Sequence, residues 1–169
     1  TTTNRTYFWT GKTHGKTGDK AKVRNDELTY DKQADWTTFP ERLEALGVSW
    51  KVYQNEISLP TNVEDDSLLA NFTDNNLEWF AQYHVRFSRA FHDYLQTAVK
   101  TLPEKIAALE KQLAGGDNQQ DKLQRQIEDD KRDLAEARQL LKDWAPEKFS
   151  LLSETARQLH QKAFTTNSG

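Results

Sequence analysis

The chain has 169 residues, of which 36% are hydrophobic and 29% charged, and it carries a net charge of −3. That length suits one domain, or one compact lobe carrying an extension. The slightly acidic balance argues against a nucleic-acid partner, no apolar run approaches the roughly twenty residues of a membrane span, and the lack of cysteine excludes disulfides, zinc–thiolate sites and a cysteine nucleophile.

Residues 5–10, "RTYFWT", are aromatic and β-branched and suit a short strand or a buried loop. "GKTHGKTGDK" (11–20) is rich in glycine and lysine with no apolar face, an exposed loop. Its two GKT triplets are not phosphate loops. The cradle needs a glycine five positions before the one that precedes the lysine, and Thr6 and Thr10 stand there. Thr38 followed by Pro40 predicts a helix start, with Glu41 near its positive end and Leu43 and Leu46 turned inward. Gly47 predicts its stop. In "VSWKVYQ" (48–54), Val48, Trp50 and Val52 alternate with Ser49, Lys51 and Tyr53, the period of a strand. A small α/β element is therefore expected within residues 1–75, the rest of which reads as loop.

From Asn76 the period changes. Leu77, Phe80, His84, Phe87, Phe91, Leu95, Ala98 and Leu102 recur at steps of three and four, one face of a long helix over 76–113 with a disturbance at Pro103. After "AGGDN" (114–118) a return helix over 118–143 carries Leu123, Ile127, Leu134, Ala137 and Leu141, with Asp130 interrupting the seam. Dense, nearly balanced charges surround both narrow stripes. This predicts an antiparallel coiled-coil hairpin within 76–147, each arm masking the other, rather than a membrane-surface helix. Pro146 ends it, and Ser153 caps a last helix over 153–164 within residues 148–169. The chain as a whole is expected to be mostly α.

The four histidines make no metal-ligand pattern, since His84 and His92 lie eight apart. His84 falls in the apolar stripe as a core histidine, and His160 is expected at the surface. His14, in the polar loop, is the one free to reach a substrate.

The opening of the second element goes further. "DWTTFPERLEALGVSWKVYQNE" (35–56) resembles a characteristic segment of the bacterial phosphoesterases, the family of phospholipases C and related acid phosphatases. "TNRTYFWTG" (3–11), "NFTDNNLEWFAQY" (71–83) and "LHQKAFTTNSG" (159–169) resemble further segments of it, so the likeness covers residues 1–103 and 148–169. The helical hairpin between them then reads as an insertion. The resemblance implies an alkaline-phosphatase-like α/β parent fold, and hydrolysis of a phospholipid or small phosphoester through attack of a metal-activated hydroxyl on phosphorus. It places the family's nucleophile three residues before Asn4, at Thr1, which would also touch the divalent metal ion, with Thr3 where the family has proline. Asn4 and Arg5 match the motif, and Asn4 and His14 are the candidate substrate contacts. The family's other metal ligands would lie outside this chain. With no methionine and cut-looking ends, the chain is expected to be an internal fragment, inactive alone and with no metal bound to it. By the same resemblance the parent is bacterial and exported, periplasmic or secreted, and self-association through the hairpin is the expected homotypic contact. The rival reading is a non-enzymatic helical protein-interaction module with the hairpin as its docking arm.

Overall fold

The computed structural model describes residues 2–12, 28–62, 75–115 and 119–166. These residues are mostly helical, with no sheet among them. The helices are α1 (Thr2–Thr10), α2 (Phe39–Ala45), α3 (Arg89–Ala114), α4 (Gln120–Asp143), α5 (Pro146–Ser150) and α6 (Glu154–Ala163). Among the described residues, no helix is long and apolar enough to cross a membrane.

The predicted start and stop of α2 are both present. The Thr38 backbone N–H donates to Glu41 Oε2 at 2.7 Å, and buried Pro40 sits in the first turn. At the other end Gly47 adopts φ +67°, its N–H bonding Glu44 O at 3.1 Å while Val48 N–H bonds Leu43 O at 2.9 Å. That pair of bonds closes the last carbonyls, and glycine enters the left-handed region without a Cβ clash.

The strand expected over 48–54 does not form. Val52 N–H bonds Lys162 O at 2.7 Å and Gln54 N–H bonds Thr165 O at 3.0 Å, leaving one isolated bridge between Tyr53 and Thr165. The alternation holds only from Trp50 onward: Trp50 and Val52 pack on the core and Tyr53 is exposed, but Val48, expected on the inner face, is exposed as well. A strand needs a ladder, however, and the neighbour here is the end of a helix. The α/β element is thus a helix followed by an extended strip.

Two further expectations change. Residues 5–10 are helical within α1, which Gly11 ends at φ +66°. The long helix expected from Asn76 begins only at Arg89. Residues 76–87 form three 3₁₀ turns, Asn76–Trp79, Ala81–Tyr83 and Val85–Phe87. Apolar spacing of three suits a 3₁₀ turn as well as an α-helix. The choice is made by distant contacts. Ala34 N–H bonds Trp79 O at 2.7 Å and Ala34 O accepts Ala81 N–H at 2.8 Å, while Phe80 is extended and His84 left-handed at φ +51°. This segment is the centre of the core: Leu77, Phe80, Tyr83 and Val85 are fully buried.

Pro103 lies inside α3 without ending it. Phe91 and Leu95, near the start of α3, share the main core with Ala137 near the end of α4. Further along, Ile106 meets Ile127 and Leu134, so the two helices run in opposite directions. Asp130 is buried in that seam, its Oδ1 accepting from Lys105 Nζ and Gln126 Nε2, each at 2.9 Å. Pro146 opens the short α5 rather than merely ending α4, and Ser153 caps α6 by accepting Ala156 N–H at 3.2 Å.

Candidate functional site

Thr1 and His14 lie outside the described residues. Asn4, the third expected site residue, is on α1 and exposed. It lines an open groove of about 610 Å³ whose walls are α1, with Tyr7 and Phe8, and α2, with Phe39 and Arg42. These are the two segments that carry the strongest resemblance. The groove offers one amide, one guanidinium and a largely exposed aromatic lining, with Phe8 at 74% and Phe39 at 54% exposure. A guanidinium pairs with phosphoryl oxygens, and aromatic faces suit an organic substituent.

Both walls are anchored on the same buried segment. Asn76 Nδ2 donates to Thr6 Oγ1 of α1 at 3.4 Å, and both residues are almost fully buried. On the α2 side, the Thr38 hydroxyl bonds the Tyr83 hydroxyl, and Gln82 Nε2 donates to Glu41 Oε2 at 2.9 Å. The 3₁₀ turns therefore fix the width of the groove. Lys162 Nζ, 2.6 Å from Glu44 Oε2, ties α6 to α2, and its bond to Glu44 holds that carboxyl below its usual range.

Two titratable groups inside the lobe escaped the sequence reading. Glu78 is 1% exposed, and its Oε2 accepts Tyr30 O–H at 2.7 Å and Ser58 N–H at 3.0 Å. Its Oε1 has no hydrogen-bond partner among the described residues. Burial lifts the Glu78 carboxyl to about 7, against the lowering effect of those bonds. The signal was an acid set between Leu77 and Trp79, at the start of the run that carries the apolar spacing.

His160, expected at the surface, is buried at 9% exposure. Its Nδ1 stands 2.9 Å from the Tyr83 carbonyl oxygen, and its ring packs edge-on to Phe149 and Phe164. Burial lowers its pKa. The helical period did carry this: Ala156, Leu159, His160 and Ala163 share one face of α6. His84 is half-buried, and burial lowers its pKa too.

Among the described residues, no three His, Asp or Glu side chains come together in a way that could hold a metal ion. The described residues on their own thus do not fit a divalent cation.

A model of the Phosphoesterase family matches residues 1–158. Over 89 residues the chain is 35% identical to a non-hemolytic phospholipase C of Burkholderia pseudomallei, covering 47% of this chain and 12% of that protein. It is 33% identical over 89 residues to a non-hemolytic phospholipase C of Pseudomonas aeruginosa, covering 50% of this chain and 11% of that protein. The chain thus spans about one eighth of the first relative's length and slightly less of the second's. No solved structure matches it.

Proposed function

The chain belongs to the phosphoesterase family, and on that premise we propose that it is the nucleophile-bearing lobe of a phospholipase C-type phosphoesterase, with Thr1 as the attacking residue. The observation that carries this reading is the groove between α1 and α2. Its walls are built by the two segments most like the family, and it opens along the helix that follows Thr1 in the chain.

In the proposed reaction the Thr1 oxygen forms a bond to phosphorus as the ester P–O bond breaks. The alcohol leaves with a proton, and water then cleaves the phospho-threonine to give phosphate or its monoester. Arg42 offers charge to the phosphoryl oxygens, Asn4 a side-chain amide, and Tyr7, Phe8 and Phe39 an apolar surface for the ester's organic part. The divalent cation expected from the resemblance would supply positive charge at the hydroxyl. Its ligands would come from the rest of the parent, and no step here is routed through it. In that parent the fold is alkaline-phosphatase-like, α3 and α4 form an inserted antiparallel coiled-coil hairpin, and the protein is exported.

The test is an assay of a chromogenic phosphodiester and a phosphomonoester with the full-length parent, its Thr1→Ala variant and the 169-residue chain alone. The parent should turn over with added divalent cation. Thr1→Ala should lose orders of magnitude, far beyond the roughly 1 kcal/mol of one hydrogen bond. Turnover by the short chain alone, or an active Thr1→Ala parent, would place the chemistry elsewhere.

A further inference from the structure

A second cavity, of about 380 Å³, lies between residues 51–57, the start of α3 and the end of α6, and it shares no lining residue with the α1–α2 groove. Its lining includes the polar side chains of Lys51, Ser88, Arg89 and His160 and the rings of Phe87, Phe149 and Phe164. We propose that this cavity binds a phosphoryl anion, with the rings receiving the organic part of a phosphate monoester. The proposal does not depend on the role given to Thr1.

Several features of the polar lining converge. Lys51 and Arg89 bring two cations to the cavity. Arg89 is mostly exposed, and its Nε is 3.8 Å from Asp93 Oδ2, a contact too long and too open to hold the guanidinium. The first turn of α3 contains no acid, and Ser88 at its N-cap makes no side-chain capping bond, so the leading backbone N–H groups of a 26-residue helix are left uncapped by a side chain. The Ser88 hydroxyl oxygen is itself buried without a hydrogen-bond partner among the described residues. Such an atom is costly unless something outside the chain bonds it.

His160 adds a further feature. A carbonyl can only accept, so Nδ1 donates to Tyr83 O and the neutral ring keeps its lone pair on Nε2. Phe149 and Phe164 fix the plane of the ring, and both line the cavity. Below roughly pH 6 a phosphate monoester still holds its second proton, and such a nitrogen can accept it as a hydrogen bond. The acid in the wall, Glu56, is almost fully buried, with its Oε1 already accepting Ile57 N–H at 3.0 Å. One carboxylate faces two cations and a helix N-terminus, so the balance favours an anion.

The experiment uses the 169-residue chain and follows the His160 imidazole nitrogens by NMR while inorganic phosphate or phenyl phosphate is added at fixed ionic strength and pH. Both anions should shift Nε2 saturably, phenyl phosphate at the lower concentration. Arg89→Gln should weaken the response about tenfold, as one lost charge-assisted hydrogen bond would. Ser88→Ala should weaken it less. Chloride at the same ionic strength should leave the resonance in place. No saturable shift, an equal shift with chloride, or a shift unchanged in both variants would overturn the site. Equal affinity for the two phosphates would overturn the role given to the rings.

Discussion

The hydroxyl of Tyr30 donates to the buried carboxylate of Glu78 at 2.7 Å across 48 residues of chain, joining the loop before α2 to the centre of the core. The joint has a pH dependence whose sign follows from burial. Glu78 is raised from 4.5 to about 7 on folding, so the folded state holds a proton that the unfolded chain has released in that interval. The stability this group contributes is whole below about pH 4.5 and is lost as pH rises through about 7, a change on the order of 3 kcal/mol. Glu78→Gln keeps an acceptor for Tyr30 and removes the titration. Between pH 5 and 8 the urea midpoint of the variant should rise relative to that of the unsubstituted chain, the difference opening as pH passes through about 7.

His160 works in the opposite direction. Its pKa is lowered by burial, so below the ordinary imidazole value of 6.5 the unfolded chain binds the proton more readily and stability falls with pH. His160→Asn retains a donor near the Tyr83 carbonyl without a group that titrates. On going from pH 7 to pH 5 the thermal midpoint of the variant should gain on that of the unsubstituted chain, even though the variant starts lower.

The seam between α3 and α4 gives a test of a buried charge. Lys105→Met leaves Asp130, 3% exposed, with only Gln126 and should destabilise by roughly 3 kcal/mol. Asp130→Leu continues the apolar stripe and should be neutral or stabilising. Chemical denaturation followed by circular dichroism separates these outcomes, since equal losses in both variants would mean that the pair acts as a unit.

Gly47→Ala isolates a backbone effect. A Cβ added there meets nothing within 4 Å, so sterics with neighbours play no part. The left-handed φ of +67° alone should cost about 1–2 kcal/mol in a thermal melt.

What the sequence disclosed was local. Thr38, Pro40 and Gly47 announce α2 because caps and turns are decided by the residues that form them. The stripe through Leu95, Ile106, Ile127 and Leu134 announces two helices for the same reason. What it withheld was tertiary. The 3₁₀ turns at 76–87 exist because Ala34 takes the Trp79 and Ala81 backbone groups, and nothing in "NLEWFAQYHVRF" names that partner. The strip at 48–54 has a strand's period, yet whether a ladder forms depends on the neighbour, which is the end of α6 and the residues just after it. Of the site, the segments forming the α1–α2 groove were legible through family likeness, whereas Glu78 and His160 became visible only once the fold had buried them.

The ring centroids of Phe87 and Trp144 lie 4.9 Å apart, so the residue that leads into α3 and the one that follows α4 are held side by side at the lobe, on which the basal turns of both helices pack. A segment whose two ends are already adjacent can change length without moving what it is attached to. The entropy of closing a chain grows only with the logarithm of its length, so added turns beyond Leu102 and Leu134 would weigh little on the lobe's own folding. The arm's reach is therefore a nearly free variable in the evolution of this chain, set by whatever it must span, while the lobe's geometry stays fixed at its base.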